Sequence, residues 1–339
     1  MRGAVHPSRK AARQSSSFLL AALPVARVVG RASARGLVTR GPVPLHLPGE
    51  YAALSAPTSK AGRLQRACLA LLQEHEADGM LPTSGRFLWY ELVQRQPQLV
   101  AKDQARGHPG VSRGIDQDVN DALMHLRRTG VVPWDWIDDE TRTMYMYSGY
   151  ASIAVGVQAR VETVRLDPWA GEPEPLLLTE SRSLAGVLQQ VAADYCCSMA
   201  STNGQVGGFL HTVIVPVLRE QQRVLYLGDL DLAGGQIEAN TRQVLERATP
   251  LRWERLALTP EQVERYGLRP LVIVKRDRRY TDGRPHEAVE TEALSQRVIV
   301  ELVQARLDEL LPAPLKDVLV REQRQRAAVR KRLSAQGGA

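Results

Sequence analysis

Sulfur, aromatics and long apolar runs are all scarce in this chain, and each shortage excludes something. Three cysteines in 339 residues, Cys68, Cys196 and Cys197, rule out a disulfide framework and a spaced thiolate metal cluster. Cys196 and Cys197 are adjacent in an apolar setting and read as small buried hydrophobes, in a chain suited to a reducing compartment. Aromatics make up 5% of the residues, so the core has to be built mainly from Leu, Val and Ala. No apolar stretch is long enough to span a bilayer; arginines interrupt "FLLAALPVARVVGR" too soon. Neither a dinucleotide-binding glycine fingerprint nor a P-loop with its lysine is present, which leaves ATP binding by this chain unsupported. Internal repeats and coiled-coil heptads are absent as well.

Acidic residues are missing from one region entirely. Residues 1–46 carry eight Lys or Arg and no acid, and residues 316–339 carry seven basic against two acidic residues. The formal charge of +7 therefore resides at the two ends, and the body between them is net acidic. Basic ends can touch DNA non-specifically or simply solubilise the chain. The opening segment fits a signal or transit segment, a disordered extension or a mis-assigned start. The rest reads as a cytoplasmic protein with no membrane association.

Apolar periodicity predicts an amphipathic helix over residues 62–75, with Leu64, Cys68, Leu71 and Leu72 on one face. A second helix, capped by Thr83 or Ser84, runs to about residue 94, and a third covers 116–128. "VVPWDWIDDETRTM" reads as a short strand and a turn. Three helices followed by a strand and turn suggest a winged helix-turn-helix with 116–128 as the groove helix. From "GEPEPLLLTE" onward strands alternate with helices: "PLLLT", 181–194, "CCSMAST", 206–220, "RVLYLG", "GGQIEANTRQVLERA", "WERLAL" and "TPEQVERYG". That rhythm is α/β, with a mainly parallel sheet. The expected division is a disordered basic extension (1–50), a winged-helix domain (51–150), an α/β metal-binding domain (151–315) and a basic tail (316–339).

In such a sheet, ligands sit beyond the carboxyl ends of the strands. Glu180 ends one strand, and Asp229 and Asp231 end another. Residues i and i+2 of an extended chain point the same way, so both aspartates can face one point with Glu180 beside them. Three carboxylates without His or Cys form a hard, all-oxygen environment suited to Mg²⁺. The ordinary alternative is a hydrated acidic rim or helix capping. Gly234 and Gly235 permit a tight turn into the next helix. "STNGQVGG" is a second strand-to-helix loop, able to offer N–H groups to phosphate. Glu290 and Glu292 can add a metal ligand or be solvent-facing helix-start acids. On a helix, Leu88 and Leu92 are about 40° apart and Tyr90 about 160° from each, which turns Tyr90 outward. An outward tyrosine on a DNA-binding domain can attack a phosphodiester, with Arg86 on the same side steadying the phosphate. It can equally be an ordinary exposed or packing tyrosine.

"LLLTE…STNGQ…YLGDLDLAGGQI" resembles a Toprim domain, the metal-binding module of topoisomerases, primases and related nucleases. "GDLDLAGGQI" resembles the Gly-Asp-x-Asp-x-x-Gly-x-x-Ile pattern of the topoisomerase VI A subunit and its meiotic double-strand-break relatives. "VETEAL" and "TSGRFLWYEL" are similar to a later Glu-x-Glu-Ala-Leu element and to the stretch carrying the family's nucleophilic tyrosine, although Trp89 replaces the usual first aromatic. The resemblance covers roughly residues 62–310 and includes Toprim nucleases of plasmid-defence systems that need no covalent tyrosine. It implies Tyr90 as nucleophile, Arg86 as the family arginine, Glu180, Asp229 and Asp231 as metal acids, and Glu292 as auxiliary ligand. It further implies Mg²⁺, replaceable by Mn²⁺, double-stranded DNA as partner, a homodimer, and a separate ATPase subunit for any strand passage. The expected function is Mg²⁺-dependent DNA strand cleavage, by Tyr90 transesterification or by metal-activated water. The alternatives are a catalytically inactive DNA-binding or regulatory protein with a degenerate Toprim domain, and a phosphotransfer or nucleotide enzyme using the same acids.

Overall fold

Leu64, Cys68, Leu71 and Leu72 form the buried stripe of α1 (Lys60–Ala77), whose first turn is capped by Ser59 accepting from Gly62 N at 2.9 Å. The computed structural model describes residues 53–104, 116–138, 149–204, 208–273 and 286–336. α2 (Gly85–Arg95) starts at Ser84, whose Oγ accepts from Phe87 N at 3.3 Å. After α3 (Pro97–Gln104), α4 (Gln117–Arg128) lays Val119, Ala122, Leu123 and Leu126 against α1 and α2. The next stretch is less regular than expected. Pro133 withholds a ladder donor, and residues 131–138 hold a 3₁₀ turn, Trp134–Trp136, and a single parallel bridge between Thr83 and Ile137. The remainder of that expected strand and turn lies outside the described residues. A short helix not foreseen from the sequence, α5 (Ile153–Val161), precedes the sheet.

The α/β part opens with β1 (Leu176–Thr179), α6 (Arg182–Asp194) and β2 (Ser198–Ser201). β3 (Arg223–Leu227), α7 (Leu232–Ala248) and β4 (Arg252–Ala257) follow. The four strands are all parallel, in the order β2-β1-β3-β4. Side chains alternate across the sheet. Leu177, Leu225 and Leu227 face Leu184 and Leu188 of α6, whereas Leu176, Leu178, Val224 and Tyr226 face Leu210, Ile214 and Leu245. The central strands are thus apolar on both faces, as covered parallel strands must be. The β1-to-β2 and β3-to-β4 crossovers run in opposite directions along the sheet, and crossovers of one hand then place α6 and α7 on opposite faces.

The expected single helix over 206–220 is instead a π-type turn at Leu210–Ile214 followed by a 3₁₀ turn at Val215–Val217. Pro216 cannot supply the helical donor that a regular α-helix needs there. Beyond β4 come α8 (Pro260–Tyr266) and an antiparallel pair, β5 (Leu271–Ile273) with β6 (His286–Ala288). α9 (Gln296–Leu310) packs Ile299, Val300, Val303 and Leu307 inward, and the basic tail continues as α10 (Leu315–Gln336). One apolar cluster unites the N-terminal helices, one face of the sheet and α9. Cys68 is buried as expected; Cys196 and Cys197, in the turn from α6 to β2, are only half-buried. No described helix is long and apolar enough to cross a membrane.

Candidate metal centre

The strand order fixes where a site can form. The chain leaves β1 toward β2, while β3 lies on the other side of β1, so the carboxyl ends of β1 and β3 flank the point at which the winding reverses. Glu180 and Asp229 project from those two ends. Glu180 N extends the ladder to Leu227 O at 2.9 Å, and Glu180 Oε2 accepts from Asp229 N at 3.1 Å. One residue on, Leu230 forms an antiparallel bridge with Val289. That bridge draws the 3₁₀ turn Thr291–Ala293 to the same edge, and Asp229 Oδ1 accepts from Thr291 N at 2.9 Å and Thr291 Oγ1 at 3.2 Å. Glu292 on this turn is fully buried, its Oε1 accepting from Ser181 Oγ and Ser183 Oγ at 2.5 Å each. Arg86 of α2 reaches in, its Nε lying 3.2 Å from Glu292 Oε1 and its Nη2 paired with Glu290.

Glu180, Asp229, Glu290 and Glu292 therefore gather around one edge, with Asp231 beside them. Asp231 departs from the simple fan expected of residues i and i+2. Its Oδ1 accepts from Gly234 N at 2.6 Å and caps α7, while Asp229 turns to the Thr291 backbone. Among the described residues no group of three His, Cys, Asp or Glu side chains is placed so that it could hold a metal ion.

The electrostatics of the cluster are unfavourable as it stands. Burial, then the Glu292, Glu290 and Glu180 carboxylates, hold Asp229 well above the usual aspartate range, despite the Thr291 amide. Burial and the Asp231 and Glu292 charges raise Glu180, against the Asp229 amide. Burial also raises Glu290, even with Arg86 beside it. Glu292 Oε2 is buried with no hydrogen-bond partner. Carboxylates that repel one another, with one orphaned oxygen among them, are the chemistry that a hard divalent cation would satisfy if the side chains closed around it.

Tyr90 is not where the helical wheel put it. The ring does point away from Leu88 and Leu92, but that side of α2 is covered by the Thr291–Ala293 turn, and Tyr90 is 1% exposed. Its Oη is buried beside the Glu290 carboxylate without a well-formed hydrogen bond. Burial, then the Glu290 carboxylate, push the phenol well above its ordinary range, and Arg86, 5.6 Å from the ring centroid, only partly opposes them. Arg86 does lie on the side of Tyr90, as expected, but its partners are glutamates.

The two glycines after Asp231 also have a different role. α7 begins at Leu232, so Gly234 and Gly235 lie inside its first turn. A Cβ on Gly234 would come within 2.4 Å of Asp229 O, which makes this a close-approach glycine, whereas Gly235 is open. Gly228 is required in the same way, because a Cβ there would meet the Tyr226 ring at 2.5 Å. Of the "STNGQVGG" loop, residues 205–207 lie outside the described residues.

Sequence reading missed Ser181, Ser183 and Thr291, which hold the acids, and Arg255, whose Nη2 donates to Gly228 O at 2.8 Å and Asp229 O at 2.7 Å. Ser181 was discoverable as the cap of α6. Arg255 carried no signal, since it sits within an apparently ordinary strand. No protein-family model, curated protein or solved structure matches this chain.

Proposed function

We propose that the chain cleaves DNA phosphodiester bonds with the help of a divalent cation, in the winged-helix–Toprim arrangement of topoisomerase VI A-like proteins. The observation that supports it is the self-repelling set of carboxylates at the β1/β3 reversal point, the position where open α/β sheets bind ligands. Glu180, Asp229 and Asp231, with Glu292 auxiliary, would hold Mg²⁺, or Mn²⁺ in its place. Bound there, the ion supplies charge stabilisation for the scissile phosphate and lowers the pKa of water. The packing of α1, α2 and α4, with the Thr83–Ile137 bridge beside them, is compatible with a winged helix that presents α4 to double-stranded DNA. A homodimer, and a separate ATPase subunit for strand passage, belong to the same proposal.

Between the two chemistries, the buried and strongly raised Tyr90 phenol favours water over tyrosine as nucleophile. Arg86 already neutralises Glu290 and Glu292 in part, which is the specific observation favouring a DNA-binding protein without cleavage. Supercoiled plasmid with Mg²⁺ or Mn²⁺, resolved with and without protease, separates these readings. Nicked or linear DNA free of protein, lost in Asp229→Asn/Asp231→Asn and kept in Tyr90→Phe, is the expected result. Salt-sensitive binding with the plasmid unchanged would establish the inactive reading, and protein-linked ends lost in Tyr90→Phe would establish transesterification.

A further inference from the structure

We propose that Arg86 is an internal counter-cation of the acidic site, exchanged for the divalent ion when the ion binds and then freed to hold a phosphodiester. The inference rests on the metal reading above. Its basis is the unequal placement of the partners. Glu292 is wholly enclosed, and its contacts with Ser181 and Ser183 fix it in place without neutralising it. A buried carboxylate left without an opposite charge is costly. Among the described residues Arg86 supplies the ion pairs to both Glu290 and Glu292. Its own side chain is 43% exposed, so it enters the cluster from the solvent side and can leave the same way. Among the described residues its remaining neighbour is the face of the Tyr90 ring.

A divalent ion offers the carboxylates two charges where Arg86 offers one. Once the ion is held by Glu292 and offsets the charge of Glu290 beside it, the guanidinium is released as a planar donor at the rim of the site, matched to two phosphate oxygens. Cation and phosphodiester then assist each other's binding, because each takes one half of the same ion pairs. The site would stay closed to stray cations in the absence of DNA.

The test is Mn²⁺ affinity of the full chain, read from the spin-resonance signal of free Mn²⁺, for the unsubstituted protein, Arg86→Gln, Arg86→Lys and Asp229→Asn. Arg86→Gln should bind Mn²⁺ about ten-fold more tightly, the effect of removing one competing charge at close range after screening. Arg86→Lys keeps the charge and so protects the fold. Lacking the fork that spans both glutamates, it should bind about two- to three-fold more tightly. Short duplex DNA should tighten Mn²⁺ binding in the unsubstituted chain and have little effect in Arg86→Gln. Equal or weaker Mn²⁺ binding in both Arg86 variants, with Asp229→Asn still abolishing it, would overturn the exchange and leave the metal site standing. An unsubstituted chain that binds no Mn²⁺ would overturn the metal reading itself, and the exchange with it.

Discussion

Asp229 shows how a single side chain can be set against the stability of its own fold. Its carboxyl is raised by burial and by three neighbouring acids, so the folded state binds a proton more readily than the unfolded chain does. Stability from this group is present below the unfolded carboxylate range and is lost as pH rises through the folded value. Without divalent ions the protein should therefore melt higher at mildly acidic pH than at neutral pH, and Mg²⁺ should remove much of the difference. Differential scanning calorimetry at several pH values, with chelator and with Mg²⁺, checks this. Asp229→Asn should raise stability at neutral pH by about 0.5–2 kcal/mol and lose the Mg²⁺ response. Tyr90→Phe removes a buried hydroxyl that lies beside the Glu290 carboxylate without a well-formed hydrogen bond, so urea unfolding should show a change within about 1 kcal/mol. These side chains were only half legible in the sequence. Spacing marked the carboxylates, because strand ends announce themselves; the burial of Tyr90 depends on a turn two hundred residues away that no helical wheel can include.

Between elements, Asp231 and Glu254 each hold two parts of the fold together. Asp231 both borders the acidic cluster and caps α7, and substitution can separate the two roles. Asp231→Ser keeps a capping oxygen and should retain stability within a few tenths of a kcal/mol while losing divalent-ion binding. Asp231→Ala should lose both, at about 1 kcal/mol. Glu254 ties β4 to α9 through Arg306 Nε at 2.7 Å and Nη2 at 2.9 Å, and to Arg223 at 3.0 Å. Burial alone would raise this carboxyl, but Arg306 and Arg223 bring it below the usual range. Its contribution is therefore present above the unfolded pKa and lost as pH falls through the folded value. Glu254→Gln should cost on the order of 1–2 kcal/mol at neutral pH by chemical denaturation, and less below about pH 4. The helices and strands themselves were largely readable from apolar periodicity, with Ser84 as an expected cap, whereas Asp231 was read as a strand-end acid and caps α7 instead. Where proline interrupts, at Pro133 and Pro216, apolar pattern alone overstated the regularity.

At the scale of the molecule, the helical layer is part of the site. α2 contributes Arg86, and the apolar cluster under it continues through Leu294 and Ile299 into the sheet. A chain reduced to residues 151–339 should accordingly lose cooperative unfolding, a result that circular dichroism melts would show. Strand alternation made the parallel sheet foreseeable, but not the strand order or the Leu230–Val289 bridge, both of which depend on contacts between distant segments. Those two features bring Glu180, Asp229 and the Glu290–Glu292 turn to one edge. The most direct measurement is anomalous X-ray scattering from a crystal of the full chain grown with Mn²⁺. A single strong peak bordered by Glu180, Asp229 and Asp231 is predicted. Ordered crystals with no peak at that edge, and Asp229, Glu290 and Glu292 still partnered by Thr291, Arg86, Ser181 and Ser183, would contradict the account.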